Sequence, residues 1–257
     1  MGNQEINAGV DVQHANGVAT ISFAHPKHNC FPQAQLKALT NAINHAAQNA
    51  EIRAILLQSD PSLAFCAGAS FDELLEVKTP QQGETFFMGF AHLINAMRLC
   101  LKPIVGRIHG KAIGGGVGIV AACDYAIATE NAHVRLSELA IGIGPFVIAP
   151  AVERKIGTAA LAALSLQPKK WKSAQWALQH GLFTEVYPEL DIATETAKAK
   201  AAQLASYAPQ AVAELNKTLW ANTDHWHELL PQNAKISGRL LLLPETQATL
   251  QQLKSNG

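Results

Sequence analysis

A chain of 257 residues, 48% hydrophobic and 16% charged, can bury a large core as one domain or as a core with a small appended piece. Lys plus Arg and Asp plus Glu balance at 20 each, so no global field favours nucleic acid or an acidic membrane surface. Small anionic ligands stay open, because they need only local charge.

The opening "MGNQEINAGV" lacks a basic region followed by an apolar run, so no secretory leader is expected. Ile6 stands where a myristoylation motif needs Ser or Thr. Every apolar stretch is broken well short of a bilayer's thickness, which predicts no membrane span. Cys30, Cys66, Cys100 and Cys123 are scattered without CxxC spacing, so they read as reduced, buried thiols in a cytoplasmic protein.

Along the chain, "VDVQHANGVATISFAH" predicts two strands joined at Ala15-Asn16-Gly17, a hairpin signal. "FPQAQLKALTNAINHAAQNA" sets Leu36, Leu39, Ile43 and Ala47 on one helical face. "IRAILLQS" is a continuous apolar run, as expected of a buried parallel strand. A loop, "DPSLAFCAGASFDELLEV", leads to a helix over "TFFMGFAHLINAMRLC", which Lys102-Pro103 stops. "IVGRIHG" predicts another strand, and after Gly110 the order repeats: glycine turn, apolar helix, the strand "YAIATE", then "AHVRLSE". This order predicts an α/β protein built of β-β-α units. From about residue 158 the pattern is almost wholly helical, without a low-complexity linker, so the tail is expected to pack on the core or on another subunit.

Two small-residue loops, "FCAGAS" (65–70) and "AIGGGVG" (112–118), each follow a predicted strand and precede a helix. Helix starts expose unpaired N–H groups, and two such donors converging on one oxygen make an oxyanion hole. Tight turns or close helix packing would need the same glycines, and spacing alone leaves both readings open. Neither loop carries the Gly-Lys-Ser/Thr of a phosphate-binding loop.

In this order, "HPKHNCF", "FCAGASFDEL", "KPIVGRIHGKAIGGGVGIVAACDYAIATENAHVRLSELAIGIGP" and "WALQHGLFTEVYP" resemble the enoyl-CoA hydratase/isomerase (crotonase) superfamily over roughly residues 10 to 220. The resemblance implies a crotonase-like spiral of β-β-α units, here residues 1–195, with a helical C-terminal region, 196–257, for packing and trimerisation. It implies a homotrimer or dimer of trimers that binds acyl-CoA thioesters, with coenzyme A as part of the substrate and no separate cofactor. An acyl-carrier-protein thioester stays open, because Asp72 lies where a basic residue often follows the family's AGAD turn. The family's oxyanion donors carry over to the backbone N–H groups of Ala69 and Gly115. Its substrate-binding stretches carry over to Lys27, Ala67, Gly68 and Gly114.

The family's hydratases have two glutamates. The later one matches Glu138 in "RLSELAIG", whereas Gly118 in "GGGVGIV" takes the place of the earlier one. Adding water across a conjugated thioester needs a base and an acid, and losing one forfeits roughly 10²–10⁴-fold in rate. A single glutamate suffices to shuttle a proton during double-bond isomerisation, or to serve dehydration, decarboxylation or lyase chemistry on an enolate held by the oxyanion hole. The alternatives are a hydratase with an unidentified second acid and a non-catalytic acyl-CoA-binding protein.

Other residues take ordinary roles at this stage. Asp124 reads as structural, and Asp72 and Glu73 as dipole-stabilising carboxylates of a first helical turn. His92 and His109 read as packing residues. His225 and His227 lack further ligands nearby, so no metal is expected. Lys169, Lys170 and Lys172 around Trp171 read as a solvated turn, with a phosphate contact left open. Phe86, Phe87, Phe90, Leu93 and Met97 read as a core stripe, with a lining role in the acyl pocket left open, and Phe146 and Val147 as residues that narrow the pocket.

Overall fold

The structure, a computed structural model, describes residues 7–255. The Met-Gly start and Ile6, which bear on acylation, lie outside the described residues. Strands β1 (Gly9–Ala15) and β2 (Val18–Ala24) form the expected antiparallel hairpin. Asn16 and Gly17 both take positive φ, 51° and 78°, as a two-residue turn matched to the strand twist requires. Helix α1 (Gln33–Gln48) follows, then β3 (Ala54–Ser59), the short α2 (Phe71–Glu76), and α3 (Pro80–Leu99). Next come β4 (Ile104–Ile108), β5 (Ala112–Ile113), α4 (Gly115–Ala122), β6 (Tyr125–Thr129), β7 (Val134–Arg135) and a 3-10 turn over Glu138–Ile141. The remainder is α5 (Ala149–Ser165), α6 (Ala174–Gln179), β8 (Glu185–Tyr187), α7 (Leu190–Ser206), α8 (Pro209–Leu219), α9 (Trp226–Leu241) and α10 (Pro244–Ser255).

The main sheet runs β1-β2-β3-β4-β6-β8 and is parallel from β2 onward. Its strands are buried on both faces, which is why β3 and β4 read as unbroken apolar runs. One face packs on α1, α3 and α4 in the principal core. The other, with Leu56, Val105 and Ile127, is covered by Ala193, Ala197 and Ala201 of α7, a small-residue stripe that lets the helix lie close. The expected division after residue 195 lies inside this helix.

A second, smaller sheet pairs β5 with β7 and is extended by single bridges, Phe31 to Ala69, Cys66 to Ala112, and Val134 to Lys172. Alternation between the two sheets produces the spiral of β-β-α units. The stretch after residue 158, read as almost wholly helical, also contains β8, which pairs with β6. Only three residues long, it carries too short a pattern to be seen locally. Helix α9 crosses α3 backbone to backbone: a Cβ on Gly83 would lie 2.6 Å from Gly238 Cα. All four cysteines are free and buried. No helix among the described residues is long and apolar enough to cross a membrane.

Candidate active site

The small sheet assembles the site. Cys66, Ala112 and Val134 lie on neighbouring parallel rungs, tied by Ile113 N–H to Cys66 O at 2.9 Å and Ala112 N–H to His133 O at 2.9 Å. The chain leaves these rungs in one direction as Ala67-Gly68-Ala69, as Gly114-Gly115, and as Leu136-Ser137-Glu138. Residues far apart in sequence therefore meet at one sheet end, where they line a cavity of about 570 Å³.

Ala69 and Gly115 present their N–H groups for different reasons. In the bridge to Ala69, Phe31 N–H donates to Gly68 O at 2.7 Å and Ser70 N–H donates to Phe31 O at 3.0 Å. That pattern turns the N–H of Ala69 away from the ladder. Ala69 precedes Ser70, the N-cap of α2, so its N–H is freed by strand geometry rather than by a helix start. Gly115 is the first residue of α4, whose N-cap, Gly114, has no side chain to accept from it.

The three consecutive glycines each admit a different neighbour. Gly114 has φ 52°, and a Cβ there would lie 2.8 Å from Glu138 Oε1. A Cβ on Gly115 would lie 2.1 Å from Cε1 of Phe90, and one on Gly116 2.8 Å from the Cβ of Cys66. Gly68, at φ 85°, presses its loop onto the next, since its Cβ would lie 2.8 Å from Ile113 O.

Glu138 opens the 3-10 turn after β7. Its Oε2 is buried without a hydrogen-bond partner among the described residues. Burial pushes the carboxyl up to about 7, against the smaller opposing pull of the Glu138 and Ser137 backbone N–H groups and the Arg135 charge. Near neutral pH such a group both takes and returns a proton. It is the only carboxylate lining the cavity among the described residues.

Ala67, Gly68, Ala69, Gly114, Gly115 and Glu138 thus meet in one cavity. Lys27 does not join them: it is exposed and pairs with Asp72 across the surface. Glu73 accepts from Gln33 N–H at 2.8 Å. Asp124 accepts from Ile104 N–H at 2.8 Å and Trp220 Nε1 at 3.0 Å, a tie between strand, helix and tail. His109 is lowered to about 4 by burial and contacts Leu63 O at 3.0 Å. None of His92, His109, His225 and His227 lines the cavity. Where hydratases of this family carry their earlier glutamate, space is taken: a Cβ on Gly118 would lie 2.5 Å from Ile148 Cγ2. A glutamate there would need Ile148 to move.

The cavity wall takes some of the residues weighed from sequence and leaves others out. Phe87 and Phe90 line the cavity, whereas Phe86, Leu93 and Met97 of the same stripe do not. Val147 lines it and Phe146 does not. Arg135 also lines it, and a charge between the apolar Val134 and Leu136 was the available signal. Lys169, from the basic turn, and Thr249, Gln252 and Leu253 of α10 complete the walls.

The sequence model described as Enoyl-CoA hydratase/isomerase matches residues 13–252. The chain is 30% identical over 214 residues to the "Probable enoyl-CoA hydratase" of Bacillus subtilis, covering 82% of this chain and 81% of that protein. It is 25% identical over 210 residues to the mitochondrial Delta(3,5)-Delta(2,4)-dienoyl-CoA isomerase of Homo sapiens, covering 77% of this chain and 64% of that protein. Its fold superposes on the crystal structure of enoyl-CoA hydratase from Bacillus halodurans with a TM-score of 0.88 at 22% identity, covering 95% of this chain and 100% of the other. With site geometry and whole-length likeness in agreement, the chain belongs to the enoyl-CoA hydratase/isomerase family and acts on acyl-CoA.

Proposed function

We propose that the protein isomerises the double bond of an enoyl-CoA thioester with Glu138 as its single proton carrier. The observation that carries this reading is the lone carboxylate, one oxygen of it buried and unpartnered, in a cavity with two free N–H groups, with Ile148 in the space a side chain at Gly118 would need. The thioester oxygen accepts from Ala69 N–H and Gly115 N–H. Ionised Glu138 takes a proton from the α-carbon, and the negative charge moves onto the oxygen. Each donor is worth about 3–4 kcal/mol as that charge develops. The same carboxyl then returns the proton to the γ-carbon, which brings the double bond into conjugation with the thioester. Apolar walls from Phe87, Phe90 and Ile148 keep water from the dienolate.

The test is a 3-enoyl-CoA assay that follows the conjugated thioester by absorbance and solvent deuterium by mass spectrometry. Conversion is expected in the wild type, with a fall of at least about 10²-fold in Glu138→Gln while thioester binding persists. Equal turnover in the variant overturns the assignment. So does hydration of crotonyl-CoA by the wild type at the roughly 10⁶–10⁸ M⁻¹s⁻¹ of efficient enzymes.

A further inference from the structure

Arg135 differs from the other buried or half-buried arginines. Arg98 donates to Thr223 O at 3.1 Å, Arg107 to Ser59 O at 2.7 Å and Gln58 Oε1 at 3.0 Å, and Arg154 to Leu219 O at 2.9 Å. Arg135 Nε is buried with no partner among the described residues, as is Arg154 Nε, but of these four arginines only Arg135 makes no side-chain hydrogen bond and no ion pair there. Its guanidinium is nevertheless held in place. The antiparallel bridge of Val134 to Lys172 sets Trp171 beside Arg135, and the guanidinium carbon lies 4.5 Å from the centroid of the indole. Lys111 Nζ lies 5.2 Å from the same centroid. Two residues before Trp171, Lys169 adds a second cation to the cavity wall.

A cation stacked on an aromatic face is oriented but not neutralised. A planar fork of donors with no protein acceptor is matched to a carboxylate, which it can bind in bidentate fashion. The cavity it lines also has apolar walls, including Ile113, Ile141, Ile143 and Pro168, against which the methylenes of an acyl chain can pack. The order of rungs gives the site a direction. Ala67–Ala69 comes first, Gly114–Gly115 next, the Arg135–Glu138 segment third, and the Lys169–Lys172 turn last. With the thioester oxygen between the first two, the third segment is the one from which Glu138 reaches the α-carbon in the proposed reaction, and Arg135 and Lys169 line the cavity from this segment and the next.

We infer that Arg135, assisted by Lys169, binds a carboxylate carried by the acyl group, so that the substrate is the CoA thioester of a dicarboxylic acid. This rests on the proposed seat of the thioester oxygen at Ala69 and Gly115. The specificity comes from the guanidinium stacked on Trp171, while Glu138 and the two N–H groups handle the chemistry at the other end of the acyl chain.

The test compares saturated, unreactive thioesters by calorimetry: pentanoyl-CoA against glutaryl-CoA, which differ in one terminal group, with succinyl- and adipoyl-CoA to vary length. The wild type is expected to bind the best-fitting diacid at least about 10-fold more tightly than pentanoyl-CoA, the scale of a charge-assisted contact. In Arg135→Met the ratio is expected to fall towards one, and in the exposed Lys169→Met to fall by a smaller factor. Retention of part of the preference in Arg135→Lys supports a role for charge as well as shape. Three results overturn the inference: no diacid preference at any length, a preference unchanged in Arg135→Met, or an equal loss for both thioesters. The last would assign Arg135 to the phosphates that all these ligands share. If the wild type binds none of the thioesters, the thioester seat itself fails, which separates that outcome from failure of the carboxylate site alone. The Lys169 variant keeps the test available should Arg135→Met not fold.

Discussion

In the proposed reaction Glu138 combines two properties that oppose each other: it must ionise to act, and its surroundings resist ionisation. The kcat/KM for proton transfer is therefore expected to rise with pH through about 7, where the free enzyme's carboxyl ionises. The same shift has a cost in stability. Because the folded-state value lies above the ordinary 4.5, the folded protein holds the proton more tightly than the unfolded chain. Wild-type stability is then lost as pH rises from about 4.5 to about 7, by roughly 3 kcal/mol in total, and is level beyond. Glu138→Gln carries no such penalty, so its thermal midpoint is expected to exceed the wild type's at pH 8 and the gap to close by pH 4. A gap that does not change with pH would mean that the carboxyl is solvated. Glu138 was picked out through the resemblance of "RLSELAIG" to the family's pattern, since a lone glutamate after a strand reads by itself as a solvated charge. The burial of its Oε2 was not legible, because the loops and helices that line the cavity with it meet only in the fold.

At the scale of elements, the glycine triplet shows what a local reading can and cannot supply. That the glycines admit something to a helix start was readable. That Gly115 is held against Phe90, on a helix some twenty-five positions earlier, was not. Gly115→Ala is expected to destabilise the fold by about 1–3 kcal/mol through overpacking. Phe90→Ala alone is expected to cost about 3–5 kcal/mol by leaving a cavity. Removing the ring makes room for the methyl group, so the double variant is expected to cost less than the two together. Denaturant unfolding of all four proteins measures the coupling, and strict additivity would show that ring and glycine do not touch. The long strands and helices were legible because each repeats its pattern several times. β5 and β7, two residues each, and β8 were not, since pairing with distant partners decides them.

For the molecule as a whole, the C-terminal chain returns to the site. Thr246 of α10 is buried against Gly142, which closes the 3-10 turn of Glu138, with Oγ1 donating to Gly142 O at 3.2 Å. Gly142 has φ 84°, and a Cβ there would lie 2.4 Å from Thr246 Oγ1. Gly142→Ala is expected to push α10 off the turn and admit water to the carboxyl. The midpoint of the pH–rate profile is then expected to move from about 7 towards the ordinary 4.5. A profile that keeps its midpoint while the rate falls would show that α10 only supports the fold. The helical character of this region was plain from sequence. Its place over the cavity was not, because periodicity marks an apolar face without saying what covers it.

The contact of Gly118 with Ile148 bears on descent as well as on chemistry. A lineage starting from this chain cannot reach a two-carboxylate site by one substitution at residue 118, since the new side chain arrives where a buried branched one already stands. Ile148 must move or be replaced, and replacing it with a smaller residue alone leaves a hole in the wall of the cavity. If the proposed chemistry holds, this packing couples residues 118 and 148, so a change from one carboxylate to two passes through both positions rather than one.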